Sequence, residues 1–124
     1  MAIPALEQVS VRHPELPHID KILDVRLYEE LGNDGPDGRN VVILGDYMID
    51  RSTCGTATCA EVALRYARGQ LGLGESFVTQ SIVGTRFTAQ VVAETQVGGG
   101  SEVFSAVIPR ITGSVYIINS VALI

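Results

Sequence analysis

Only one stretch of this 124-residue chain repeats its apolar residues with the period of a helix. From Thr58 to about Leu71, Cys59, Val62, Ala63, Tyr66 and Ala67 recur at i, i+3, i+4, i+7 and i+8, while Glu61, Arg65 and Arg68 fall elsewhere on the wheel. A single helix cannot bury its own stripe, so the rest of the chain must supply the cover. That remainder consists of short β-branched or alternating segments, residues 6–11, 22–28 and 40–45 before the helix and 76–83, 87–95, 102–108 and 114–123 after it. The run GNDGPDGRN, residues 32–40, reads as a surface loop, and Gly84, the glycines at 98–100, Pro109 and Gly113 read as breaks between strands. Ala60, Ala63 and Ala67 keep the helix slim enough for strands to pack closely around it. The expected fold is α+β: one domain over residues 1–124, with a mostly antiparallel sheet or barrel wrapped around one central helix.

Charge and hydropathy narrow the function classes. Fourteen acidic against nine basic residues give a net charge of −5, and the basic residues are dispersed without a cluster interleaved with aromatics, which argues against a nucleic-acid partner. The longest apolar runs are too short to cross a bilayer. The opening MAIPALEQVSV lacks the charged and hydrophobic regions of a signal peptide, so a cytoplasmic location is expected. The two cysteines, Cys54 and Cys59, would stand roughly 7–8 Å apart along a helix by its rise per residue, which favours two free thiols.

The placement of Cys54 raises the chemical question. In DRSTCGTATCAE it stands against Gly55 at the expected start of the helix, among backbone N–H groups that lack intrahelical acceptors. Such groups stabilise a thiolate and bind anions. Gly55 lets a ligand approach the backbone without a Cβ in the way, and the N–H groups of Gly55, Thr56 and Ala57 suit a carboxylate. Asp50, just upstream, could accept hydrogen bonds from an ammonium. Together they describe a site for an amino acid, with Cys54 as a proton-abstracting base. On spacing alone a plainer alternative stands beside it: Thr53 and Thr56 cap the helix, Asp50 is a surface acid, and Cys54 fills a tight corner. Cys59, one turn in on the apolar stripe, reads as packing. His13 and His18 have no metal-ligand spacing with the thiols, GLGES and GGGS lack the context of a phosphate loop, and Ser52 and Ser81 lack a partnered histidine. No metal and no cofactor is expected.

The stretch DRSTCGTATCAEVALRYARGQLGLGESF resembles the signature of the proline racemase family, which includes hydroxyproline epimerases. SIVGTRFTAQV and PRITGSVYII are similar to later strand motifs of that family, and VRHPELP to the segment that opens its second half. The resemblance implies one half of a diaminopimelate epimerase-like fold, and a cofactor-independent isomerase acting on proline or hydroxyproline. In that scheme two halves face each other and each contributes a cysteine at a helix start. It implies that Cys54 is the second of these cysteines, that Asp50 contacts the substrate nitrogen, and that Gly55 and Thr56 bind the carboxylate. A related dehydratase branch carries Thr at this cysteine position, so Cys54 points to the racemase or epimerase branch.

The chain also departs from the family pattern. The first-half motif, a Cys-Gly-His after a Met, is absent, and Thr53, Ala57 and Ala89 replace a usual Pro, Gly and Gly, while Leu44 stands where an aromatic wall is common. The expectation is a C-terminal half, incomplete alone, that is completed by a separate first half or by a second copy of itself. The competing class is a non-catalytic module that binds a small carboxylate or serves as a partner subunit.

Overall fold

The computed structural model describes residues 11–32, 35–45 and 48–117. Among these residues six strands and one helix follow the order β1 (Asp24–Glu30), β2 (Gly38–Leu44), β3 (Met48–Asp50), α1 (Gly55–Ala67), β4 (Phe77–Ser81), β5 (Arg86–Gly99) and β6 (Glu102–Gly113). The strands form one sheet in the order β1-β2-β4-β5-β6, with β3 paired to β2 off that path.

The α+β, strand-dominated expectation holds, with two corrections to the sheet. It is mixed, because β2 and β4 pair in parallel through Gly38 to Thr79, Arg39 to Gln80 and Asn40 to Ser81. Parallel neighbours need a long crossover, and α1 lies in the connection that supplies it. The sheet is also open rather than a barrel, with β1 and β6 at its edges. Along one side, β2 meets β1 over its whole length; on the other, β4 takes its first half, and β3 takes Val42 to Leu44. This division places Asp50, the last residue of β3, opposite Val42 and immediately before the turn into α1.

The helix begins three residues earlier than its apolar period suggests and stops at Ala67. Its end has the hydrogen bonds of a Schellman motif: Gln70 N–H donates to Arg65 O at 2.8 Å and Gly69 N–H to Tyr66 O at 3.0 Å, with Gly69 at φ 69°. α1 packs on β5 and β6. The core comprises Val62 from the helix with Leu71, Phe77, Ala89 and Val91, flanked by Tyr66, Val107 and Ile111. Val62 is fully buried, Ala63 and Tyr66 are partly buried, and Ala67, expected inward, is exposed because a pocket separates it from the β5–β6 hairpin. Cys59 is half-buried.

β5 and β6 are longer than their sequence suggests. Pro109 lies inside β6, at a bulge where the register with β5 shifts between Val91 and Ala93. A proline is tolerated there because the ladder is already interrupted. The glycines at 98–100 fall at the expected break between two strands: Gly98 and Gly99 close β5 opposite Val103 and Glu102, and Gly100 opens the hairpin turn. Residues 114–117 form no strand, and the remainder of the strand expected at 114–123, like most of that at 6–11, lies outside the described residues. Gly113 faces Phe87 across the ladder so closely that a Cβ would stand 2.5 Å from its ring carbons. Gly113→Ala is therefore expected to cost about 1–3 kcal/mol through overpacking. Urea unfolding checks it, and an unchanged midpoint would mean the ring has free room to move.

Candidate active site around Cys54

The turn from β3 into α1 is held by two successive side-chain contacts. Asp50 Oδ1 accepts the Ser52 N–H at 2.8 Å, and Ser52 Oγ accepts the Cys54 N–H at 3.0 Å. Cys54 is the N-cap residue with φ 58° and ψ 117°, and is the one non-glycine among the described residues with positive φ. Left-handed backbone at a side-chain-bearing residue costs on the order of 1–3 kcal/mol and persists only where its surroundings impose it. From this cap the carbonyl of Cys54 accepts Thr58 N–H at 3.0 Å and Thr58 Oγ1 at 2.7 Å.

The helix start has no side-chain cap. Thr53 is fully buried with Oγ1 unpartnered, and Thr56 Oγ1 lies 3.5 Å from Cys54 Sγ. The capping alternative for these two threonines is thus not realised. Gly55 is equally unexplained by the chain itself: its φ is not positive, and a Cβ there would meet no heavy atom within 4 Å. Nothing internal requires a glycine at that position.

Cys54 is only 8% exposed as a residue, yet together with Thr56 and Ala57 it lines a pocket of about 420 Å³ between α1 and the β1–β2 wing. The opposite wall is Ile22, Leu23, Arg26 and Val42. Asp50 is half-buried at the turn and is not part of that lining, and neither is Gly55. Cys59 does not line it either. Burial, and then the neighbouring Cys54, push the Cys59 thiol pKa up. That favours its neutral form at neutral pH.

Sequence reasoning missed the charged residues at the base of this pocket. Glu61 was placed off the apolar stripe, but its side chain is only 7% exposed. One carboxylate oxygen takes Arg26 Nη1 and the other takes Arg65 Nε at 2.5 Å, while Arg65 Nη2 reaches Glu30 at 3.0 Å. Burial opposes the charge on Arg65, but the hydrogen bonds and charges of Glu61 and Glu30 outweigh it and hold its pKa above the ordinary value. The Glu61–Arg65 spacing of four residues was a usable signal; Arg26, thirty-five residues away, had none.

A second pocket, of about 650 Å³, separates the C-terminal half of α1 from the β5–β6 hairpin. Tyr66 Oη donates to Glu94 at 2.6 Å across it, and this bond raises the Tyr66 pKa. Ala63, Tyr66 and Ala67 of the apolar stripe line it, and none of the residues proposed from the sequence for chemistry lies there. Among the described residues no helix is long and apolar enough to cross a membrane.

The site thus places a thiol at a helix start, fed by a strand that ends in an acid, on a mixed α+β scaffold. Comparison with known proteins supplies the family: the chain belongs to the proline racemase family, whose model matches residues 3–124. It is 46% identical over 111 residues to the proline racemase of Acetoanaerobium sticklandii, covering 90% of this chain and 32% of that protein. It is 36% identical over 109 residues to the 4-hydroxyproline 2-epimerase of Shewanella loihica, covering 88% and 32%. The crystal structure of a hydroxyproline epimerase from Agrobacterium vitis with bound trans-4-hydroxy-L-proline superposes with a TM-score of 0.77 at 36% identity, over 89% of this chain and 30% of that one. The chain thus spans about a third of the length of these relatives.

Proposed function

We propose that this chain is the Cys54-bearing half of a cofactor-independent isomerase of proline or hydroxyproline, built as one half of a diaminopimelate epimerase-like fold and working in the cytoplasm. The observation that carries this reading is the strained cap: Cys54 holds a left-handed backbone at a helix start that no side chain caps. The substrate carboxylate is received by the N–H groups of Gly55 and Thr56, and Asp50 takes the substrate nitrogen. Charge withdrawal at both ends acidifies the α-carbon, and the Cys54 thiolate removes its proton. The open space at Gly55 supports the approach of a carboxylate to the backbone.

Inversion needs an acid on the opposite face of the α-carbon. Cys59, five residues along the same helix, cannot supply it, so the chain requires a complement, either a separate first half or a second copy presenting its own Cys54. The share of each relative that the chain spans favours this requirement. A non-catalytic carboxylate-binding module is the competing reading. Deuterium incorporation at the α-carbon of L-proline, D-proline and trans-4-hydroxy-L-proline in D₂O separates these cases, measured for wild type and Cys54→Ser over a range of protein concentrations. The expected result is exchange that Cys54→Ser abolishes, with inversion rising more steeply than linearly with concentration if two copies complete the site. Exchange retained by Cys54→Ser would overturn the role of the thiol; no exchange at any concentration would leave the binding module.

A further inference from the structure

The Cys54 pocket carries a guanidinium on its wall that ought to make it a general anion site. Arg26, with its side chain 12% exposed, lines the same pocket as Cys54 and Thr56, and its Nε is buried without a partner. Beside it Glu61 lines the pocket as well, 7% exposed and bonded to both Arg26 and Arg65. Arg65 has a further carboxylate in Glu30. Glu61 therefore cancels the charge on Arg26, which among the described residues is the one cation of the wall that a second anionic group of a ligand could find. Without it the lining would carry Arg26 unopposed, since Asp24, the other acid there, has no ion pair with Arg26.

We propose that Glu61 is a specificity-determining residue of this pocket. By neutralising Arg26 it confines anion binding to the start of α1, so that the pocket accepts an amino acid with one carboxylate and an uncharged side chain and rejects a dicarboxylate. The proposal deepens the amino-acid reading above and rests on it for the choice of ligand. The electrostatic claim itself is tested without any turnover.

Cys54 serves as the reporter. Glu61 stands seven residues along the helix from it, roughly 10 Å by the rise per residue. At that separation a unit charge at low ionic strength alters the local concentration of a small anion at least about twofold. The measurement is the ratio of alkylation rates of Cys54 by iodoacetate and by iodoacetamide, read by peptide mapping so that Cys59 is scored separately. The thiolate fraction and any general opening of the pocket act on both reagents and cancel in the ratio. Glu61→Gln should raise the ratio at least about twofold at low salt, and Arg26→Gln, which leaves Glu61 paired to Arg65, should lower it by a similar factor. The charge-balanced pair Arg26→Met with Glu61→Gln should return it to the wild-type value. If Glu61→Gln does not fold, the Arg26→Gln arm decides alone. An unchanged ratio in the folded single variants overturns the proposal. Failure of α-carbon exchange with an altered ratio would instead count against the isomerase reading and leave the charge selection intact.

Discussion

Glu61→Ala is expected to destabilise the chain by about 3–5 kcal/mol, the usual cost of removing one partner from a buried ionic cluster. The reason is what stays behind: Arg26, 12% exposed, keeps a 3.4 Å contact with Thr79 Oγ1 and the face of the Tyr28 ring at 5.5 Å, with no carboxylate partner and an unpartnered Nε. Against the total stability of an ordinary domain, about 5–15 kcal/mol, such a loss is large. Arg26→Met combined with Glu61→Leu should recover most of it, because no buried charge is then orphaned and Arg65 still holds Glu30. Urea unfolding followed by far-UV circular dichroism gives both numbers. A loss of under about 1 kcal/mol for Glu61→Ala would mean that the cluster is solvated.

Phe77→Ala should cost a similar amount, about 3–5 kcal/mol, for an apolar reason. The ring is 4% exposed within the core formed by Val62, Leu71, Ala89 and Val91. It also lies under the Arg65 guanidinium, whose carbon is 4.5 Å from the ring centroid. Arg65 thus joins the two sites, touching Phe77 on one side and Glu61 on the other. The double substitution is expected to depart from additivity by at least about 0.5 kcal/mol. Additive losses would show that Arg65 carries no coupling between core and cluster.

What the sequence made legible divides along physical lines. The helix could be read because its apolar period is local, and α1 with Cys54 at its start follows from residues that are neighbours in the chain. The three-residue β3 was too short to show alternation, and it exists because β2 offers Leu44, Ile43 and Val42 as partners. Pro109 reads as a strand end but sits at a bulge inside β6, a distinction that depends on the partner strand, whereas the glycines at 98–100 do mark the break between β5 and β6. The parallel β2–β4 pair hides for the same reason: the helix between them allows a parallel crossover, but which strands become neighbours is settled by tertiary pairing. Within the site, Cys54 and Thr56 are chain neighbours at the helix start and do line one pocket, but the Asp50–Ser52 contact was not read: Asp50 was weighed as a partner for an ammonium and Ser52 only as a nucleophile, whereas Ser52 serves as the acceptor for the Cys54 N–H. The Arg26–Glu61 pair is a tertiary fact, and Glu61 had been assigned to solvent by its place on the wheel.

The backbone at Cys54 sets the proposed role of the thiol against what would make the chain most durable. At φ 58° the residues that suffer least are glycine and, after it, asparagine. A library randomised at this codon and sorted for resistance to proteolysis alone should therefore drift away from cysteine toward those two. The same library sorted for capture of a thiol-reactive probe should hold cysteine fixed. The gap between the two outcomes would measure, at a single position, how far folding and chemistry pull one residue in opposite directions.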